Sequence, residues 1–295
     1  MPEISRKPKP SPSRPCYPYR TFADDCRTFE VVEEIRGLMV KYETIDNIGI
    51  LTMNNVAKRN ALSKALIEEL FSAMEAMQKA SVRVLILRAP AGCKTWSAGH
   101  DVNELPTSGR DPLTYYDPLR TVIREIEYFP APVIAMVEGG VWGGACEVVM
   151  SCDLVIAATN MTLAATPAKL GVPYNMAGVL NMANVVSPVI IKEMFFTAQP
   201  MTAQRAREVG IVNYVVEPEE LERFTLKFAQ TIAENSPLVI SALKEELRVL
   251  LHAHPLVPET FERVQGLRRK VYDSKDYQEG IKSFFERRKP VFTGE

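Results

Sequence analysis

The pattern of apolar and polar side chains becomes regular near residue 39 and begins with an alternating segment. Residues 40–43 alternate apolar with charged side chains, Asp46 and Asn47 supply a turn, and residues 48–53 are mostly apolar. This pattern predicts a hairpin of two strands at the start of the folded region.

A helix is predicted after the hairpin. Ser63 can cap it, and apolar residues recur at helical spacing on one face: Leu66, Leu70, Met74 and Met77. Apolar runs at 82–87, 133–137 and 154–158 then predict buried strands. Because a helix between two strands makes a crossover connection, we expect parallel pairing.

After Pro188 the periodicity is helical over most of the chain. Helices are predicted at 189–196, 203–209, 218–235, 237–251, 259–272 and 274–288, with a short strand at 214–216. The expected fold class is therefore α/β with a helical carboxyl-terminal portion. We divide the chain into an N-terminal extension (1–38), an α/β core (39–230) and a helical C-terminal region (231–295).

The N-terminal extension has a composition of its own. Residues 7–15 are proline-rich and basic, which predicts a flexible arm without a catalytic role. A docking or organelle-targeting function is the alternative, although so much proline does not suit an amphipathic transit helix.

Charge and cysteine content bear on partners and location. The 295 residues carry 35 Lys and Arg against 36 Asp and Glu, which does not favour nucleic acid or an anionic membrane as the main partner. Apolar runs are too short to span a membrane, and the amino terminus lacks the apolar segment of a signal peptide. With five cysteines, no CxxC spacing and three histidines, we expect no metal site and a reducing, cytoplasmic location.

Two glycine-containing segments carry the candidate chemistry: residues 97–101 and residues 139–147. Each lies where a strand should give way to a loop or helix, so each can present backbone N–H groups to one bound oxygen. Two such donors form an oxyanion hole, which stabilises negative charge developing at a carbonyl. Either segment alone would equally fit a tight bend.

Taken together, these segments resemble those of the crotonase (enoyl-CoA hydratase/isomerase) superfamily. The resemblance covers residues 40–295 and also includes residues 58–62, 96–101 and 152–154. It implies a spiral of ββα units whose helical C-terminal region assembles homotrimers or dimers of trimers. Coenzyme A would be part of an acyl-CoA substrate, with no separate cofactor.

Four segments most resemble the superfamily members that decarboxylate methylmalonyl-CoA: residues 98–106, 141–145, 170–175 and 272–280. The resemblance implies loss of CO₂ from methylmalonyl-CoA, or a close 2-alkylmalonyl-CoA, through a thioester enolate that becomes propionyl-CoA. The backbone N–H groups of His100 and Gly144 would form the oxyanion hole, with the His100 side chain lining the site. Tyr174 would orient the departing carboxylate; a loop aromatic covering the core is the alternative.

Carboxylates distinguish the reactions of the superfamily. Its hydratases use two glutamates to activate water; Glu147 matches the first, but Ala168 stands at the second position. A carboxylate at position 168 would also repel a substrate carboxylate in a low-dielectric pocket. Glu147 is therefore a secondary candidate, favoured as a structural anchor over a catalytic group.

The resemblance further implies the residues that contact the CoA substrate: Lys58, Ala61, Ala98, Gly99, His100, Asp101, Val102, Gly144, Thr166 and Arg287. Arg287 would reach a CoA phosphate, either within its own chain or from a neighbouring subunit. The alternative is that this basic last turn only complements the helix dipole.

Three hypotheses follow, in order of preference: a decarboxylase, an enoyl-CoA hydratase or isomerase, and a non-catalytic acyl-CoA-binding protein. Hydration would require Glu147 to face the α and β carbons of the thioester and another acid to replace the one absent at position 168. A sterically closed oxyanion hole would favour the binding protein.

Overall fold

The computed structural model describes residues 39–105, 117–252 and 258–295. Within these ranges the strands are β1 (Val40–Ile45), β2 (Ile48–Met53), β3 (Val84–Arg88), β4 (Thr95–Ser97), β5 (Val133–Val137), β6 (Gly140–Trp142), β7 (Leu154–Ala158), β8 (Thr162–Ala164), β9 (Met201–Thr202) and β10 (Tyr214–Val216). The helices are α1 (Lys64–Lys79), α2 (Pro118–Tyr128), α3 (Gly144–Ser151), α4 (Met176–Val185), α5 (Pro188–Thr197), α6 (Ala203–Glu208), α7 (Pro218–Ala233), α8 (Pro237–Leu251), α9 (Pro258–Tyr272) and α10 (Lys275–Phe285). The predicted N-terminal arm lies outside the described residues.

The described strands form two sheets. The larger has the order β1-β2-β3-β5-β7-β10, in which β1 pairs antiparallel with β2 and the other pairs are parallel. The smaller has the order β4-β6-β8-β9, with β9 antiparallel at its edge. Asp46 and Asn47 adopt φ angles of 46° and 66°, as a tight hairpin turn requires. The predicted hairpin and the predicted parallel pairing are confirmed.

Helix α1 confirms the predicted cap and apolar face. The Ser63 side chain accepts a hydrogen bond from the Leu66 N–H at 3.3 Å. The four apolar residues predicted for its inner face are all buried, and α1 packs against β1 and β2. Full burial of each such side chain contributes about 1.5–3 kcal/mol.

The large sheet is covered on both faces, which explains why its inner strands are continuously apolar. One face carries Leu85 and Leu87 into the core beneath α1. The opposite face carries Val84 and Ile86 into a second cluster, which includes Leu221 of α7. Strands β3, β5 and β7 are thereby fixed, and the loops at their ends have defined positions.

The predicted C-terminal helices are confirmed as α5 to α10, and their ends agree with the prediction to within three residues. Helix α8 docks through Lys244, whose Nζ lies 2.6 Å from Asp153 Oδ2 and donates to the carbonyls of Ile126 and Ala131. The predicted boundary at residue 230 falls inside α7, which continues to Ala233.

Helix α10 packs tightly against the chain that precedes α4. An added Cβ on Gly280 would clash with the carbonyl of Leu170, and one on Gly171 would lie 2.7 Å from the Asp276 carbonyl oxygen. Both positions therefore need glycine, and the close crossing places Phe284 at the wall of a cavity described below.

Candidate active site

The two glycine-containing segments touch each other through backbone atoms. Gly99 has a φ of +80°, and an added Cβ would clash with the Trp142 carbonyl oxygen and lie 2.9 Å from the Gly144 nitrogen. An added Cβ on Gly144 would lie 3.6 Å from the His100 nitrogen. The fold thus brings the backbone nitrogens of His100 and Gly144 to one place, as the sequence predicted.

Both nitrogens are available as donors. Among the described residues, neither the His100 N–H nor the Gly144 N–H has a protein acceptor. Gly144 is the first residue of α3, and the N–H groups of a first helical turn lack acceptors within the helix. The partial positive charge of this helix end adds to the attraction for an anion.

These donors belong to a cavity of about 640 Å³. Of the predicted site residues, those that line it are Lys58, Ala61, Ala98, His100, Asp101, Val102, Gly144, Glu147, Thr166 and Tyr174. Gly99 is not among the lining residues; its part is to let the two segments approach. Arg287 is exposed after α10 and is also not among them, so its contact with CoA stays a prediction.

The sequence analysis did not identify several lining residues as part of the site. Leu119, Lys169, Leu170 and Phe284 all contribute to the cavity wall. Phe284 reaches it only through the crossing of α10, which no local pattern indicates. Leu119 belongs to α2. Asp117 as an N-cap, followed by Pro118 in the first turn, is a sequence signal that could have identified the start of this helix.

Three basic residues line the cavity: Lys58, Arg59 and Lys169. Hydrogen bonds fix the Lys58 segment against β4 and the residues after it. The Ala98 N–H donates to the Arg59 carbonyl at 2.9 Å, and Ser97 Oγ donates to the Asn60 carbonyl at 2.7 Å. Such cations attract phosphate groups.

Tyr174 lies beside the oxyanion segment. Its hydroxyl donates to the Gly143 carbonyl at 3.2 Å, and its ring packs on Phe195 with centroids 4.7 Å apart. Burial, and then the negative charge of Glu147, raise the pKa of Tyr174 well above its ordinary value, so the hydroxyl stays a donor. The ring packs on the core while the residue also lines the cavity.

Glu147 follows Gly144 by three residues on α3 and is 1% exposed. Its carboxylate forms an ion pair with the guanidinium of Arg120 from α2. Burial raises the pKa of Glu147, the Arg120 charge opposes that rise, and the nearby Glu127 and Asp117 add to it. The carboxylate is therefore held by a partner inside the protein.

No second acid replaces the one absent at position 168. Ala168 is exposed in a 3-10 helix, Pro167–Leu170, and does not line the cavity. The expectation that a carboxylate at this position would repel the substrate carboxylate inside the pocket is therefore wrong, because such a side chain would face solvent. Asp101 does line it, but its carboxylate accepts from the Asn103 N–H at 3.0 Å as the cap of a short helix. Among the described residues the paired acid that hydration needs is missing.

The His100 ring also borders the cavity, and its Nδ1 is buried without a hydrogen-bond partner among the described residues. Burial raises the pKa of the nearby Asp117, and the charge of His100 opposes that rise. The His100 ring thus lies at the cavity, and its role there stays a prediction.

Two further observations concern membrane spans and metal sites. In the described part of the chain, no helix is both long and apolar enough to span a membrane. Over the same residues, no group of three or more His, Cys, Asp or Glu could hold a metal ion.

Comparison with known proteins shows which sequences this chain resembles. A family model described as enoyl-CoA hydratase/isomerase matches residues 43–295. Methylmalonyl-CoA decarboxylase of Escherichia coli strain K12 is 54% identical over 255 residues, which cover 86% of this chain and 98% of that protein.

Solved structures of methylmalonyl-CoA decarboxylase are similar to this chain in sequence and in fold. Methylmalonyl-CoA decarboxylase in complex with 2-nitronate-propionyl-CoA is 53% identical with a TM-score of 0.86, covering 87% of this chain and 99% of that one. The complex with 2S-carboxypropyl-CoA is 52% identical with a TM-score of 0.87, covering 88% and 100%. The chain therefore belongs to the enoyl-CoA hydratase/isomerase family.

Proposed function

We propose that this protein decarboxylates methylmalonyl-CoA to propionyl-CoA, or a close 2-alkylmalonyl-CoA to the corresponding acyl-CoA. The observation that carries the proposal is a cavity in which two unpartnered backbone N–H groups meet while the family's remaining glutamate, Glu147, is paired with Arg120. Such a cavity can stabilise an enolate but lacks the two carboxylates that activate water. The 54% identity to methylmalonyl-CoA decarboxylase supports the same reaction.

The proposed reaction begins at the two backbone N–H donors of the oxyanion hole. The thioester oxygen accepts hydrogen bonds from the N–H groups of His100 and Gly144. The bond between Cα and the carboxylate breaks, its electron pair forms the enolate, and CO₂ leaves as a neutral molecule. Protonation at Cα then gives propionyl-CoA. Each oxyanion donor typically lowers such a barrier by about 2.7–4 kcal/mol.

Tyr174 supplies orientation in this proposal. Decarboxylation needs the breaking bond perpendicular to the thioester plane, so that its electrons overlap the carbonyl π system. The single phenol proton of Tyr174, which is donated to the Gly143 carbonyl in the free protein, would turn to the substrate carboxylate. One such hydrogen bond can hold the carboxylate in position without the full positive charge that would overstabilise the bound substrate. Lys58, Arg59 and Lys169, which line the cavity, would attract the CoA phosphates.

The proposal is tested by incubating the purified protein with methylmalonyl-CoA and, separately, with crotonyl-CoA, and following both thioesters by mass spectrometry. Propionyl-CoA and CO₂ from the first, with crotonyl-CoA unchanged, are expected. Hydration of crotonyl-CoA would overturn the argument from the missing second carboxylate. Binding of both thioesters without conversion would favour the acyl-CoA-binding protein, which the open cavity disfavours.

We also propose that the chain assembles as a homotrimer or a dimer of trimers. Helix α8 has no buried residue, and its exposed apolar side chains include Leu238, Val239, Leu243, Leu247 and Leu250. Such a contiguous apolar face is typical of an interface between subunits. Sedimentation equilibrium would give the number of chains.

A cytoplasmic location and independence from cofactors complete the proposal. Cys93, Cys146 and Cys152 are free thiols in the structure, as a reducing compartment favours. Coenzyme A is part of the substrate, and the proposed steps use only backbone and side-chain hydrogen bonds.

A further inference from the structure

The ion pair between Arg120 and Glu147 is the one buried charge pair at the cavity among the described residues. The Arg120 side chain is 12% exposed and that of Glu147 is 1% exposed. Asp117 accepts a hydrogen bond from the Arg120 N–H at 3.2 Å and so fixes the start of α2 that carries the arginine. Removing either partner would leave a buried charge uncompensated.

The pair lies next to the oxyanion hole. Three residues of α-helix advance about 4.5 Å, so Glu147 is within one turn of the Gly144 N–H. Glu147 lines the cavity together with Tyr174, and the two groups are close enough for the glutamate charge to influence the phenol. A thioester whose oxygen accepts from the Gly144 N–H would carry its acyl carboxylate close to this part of the cavity wall.

We propose, building on the decarboxylation proposed above, that Arg120 is a positioning residue that keeps Glu147 in a neutral pair. The cavity wall beside the oxyanion hole then has no net charge next to the carboxylate of the substrate.

Neutrality suits this reaction because the carboxylate starts with one negative charge and leaves as neutral CO₂. An unpaired glutamate would repel the bound substrate. An unpaired arginine would attract the carboxylate more strongly before the bond breaks than after, which tightens binding but slows turnover. At a low-dielectric site both effects are large.

Other charged groups around Glu147 determine what happens when Arg120 is replaced. Asp117 at the N-cap of α2, Glu127 within α2 and Tyr174 from the loop before α4 are close enough to interact electrostatically with the carboxylate. Glu127 accepts from the Asn181 amide at 2.9 Å and lies 3.8 Å from His252 Nε2. Arg120 is the main influence that lowers the pKa of Glu147, so in a variant without the guanidinium the carboxyl should keep its proton to a higher pH than in the wild type.

The test compares two unreactive thioethers, 2-carboxypropyl-CoA and S-propyl-CoA, which differ by the carboxylate. Their Kd values are measured by titration calorimetry from about pH 7 to about pH 9.5. In the wild type the ratio of the two Kd values should change by less than about threefold. In Arg120→Met the ratio should rise toward about tenfold per pH unit, since carboxylate binding then requires a proton on Glu147. Arg120→Lys, and Arg120→Met combined with Glu147→Gln, should restore the flat profile.

Glu147→Gln provides a second test that does not depend on the folding of Arg120→Met. It leaves Arg120 unpaired, so it should tighten 2-carboxypropyl-CoA about tenfold relative to S-propyl-CoA and lower kcat. A flat profile in Arg120→Met, equal weakening of both ligands, or no tightening in Glu147→Gln would overturn the inference. Failure of the proposed function would instead show in the wild type, as methylmalonyl-CoA that releases no CO₂.

Discussion

The contact between the two oxyanion segments depends on glycine at position 99, and replacing it should separate the two donors. Gly99 has a φ of +80°, and the Cβ of Gly99→Ala would clash with the Trp142 carbonyl and lie 2.9 Å from the Gly144 nitrogen. Both obstacles are backbone atoms, which cannot rotate away. The 142–144 segment must move, and the Gly144 N–H moves with it.

The expected effect of Gly99→Ala has two parts, one on stability and one on the reaction barrier. An alanine in the left-handed region costs about 1–2 kcal/mol of stability. Losing one oxyanion donor costs about 2.7–4 kcal/mol of barrier, or about 10²–10³ in kcat. Gly99→Ala should therefore lose most of its turnover while losing a modest part of its stability.

Gly92→Ala is a matched control. Gly92 also has a positive φ, +74°, but an added Cβ there would meet no atom within 4 Å. It should show only the cost in stability, with kcat unchanged. Both variants are compared by steady-state formation of propionyl-CoA and by thermal unfolding. If Gly99→Ala keeps kcat within about threefold of wild type, or Gly92→Ala loses as much, the proposed oxyanion geometry is wrong.

Three further predictions rest on the same structure. Tyr174→Phe keeps the ring contact with Phe195 but removes the hydroxyl, so kcat should fall about 10–100-fold while the Kd of S-propyl-CoA stays within about twofold; an unchanged kcat would remove Tyr174 from the mechanism. Exhaustive dialysis against EDTA should leave kcat unchanged, and a loss that a divalent metal restores would refute the metal-free reaction. Ser63→Ala removes the cap of α1 and should lower the free energy of unfolding by about 1 kcal/mol, as measured by urea titration. The control is Ser72→Ala, on the exposed face of the same helix, which should change the free energy of unfolding by less than about 0.5 kcal/mol.

The sequence predicted the elements whose signals lie within a few neighbouring residues. The turn at Asp46 and the cap at Ser63 are encoded within a few residues, and β3, β5 and β7 are apolar because they are buried on both faces. Strands β4, β6, β8 and β9 are two or three residues long, too short to show a period. Helix α2 was missed although Asp117 and Pro118 form a recognisable start.

The same distinction applies to the site. His100 and Gly144 are visible in the sequence because each donor depends on its own glycine-containing turn. Arg120 is not, because its partnership with Glu147 arises where two helices from separate parts of the chain meet, 27 residues apart. Charge pairing across such a distance requires the packed structure.

The crossing of α10 over the chain near Leu170 has a consequence for how the protein is made. A nascent chain that has reached residue 230 already contains both oxyanion donors and Glu147. It lacks the wall that Phe284 supplies, and Gly280 must reach the Leu170 carbonyl before that wall forms. Substrate can therefore meet a complete cavity only after translation has passed α10, which separates the onset of catalysis from the folding of the sheet.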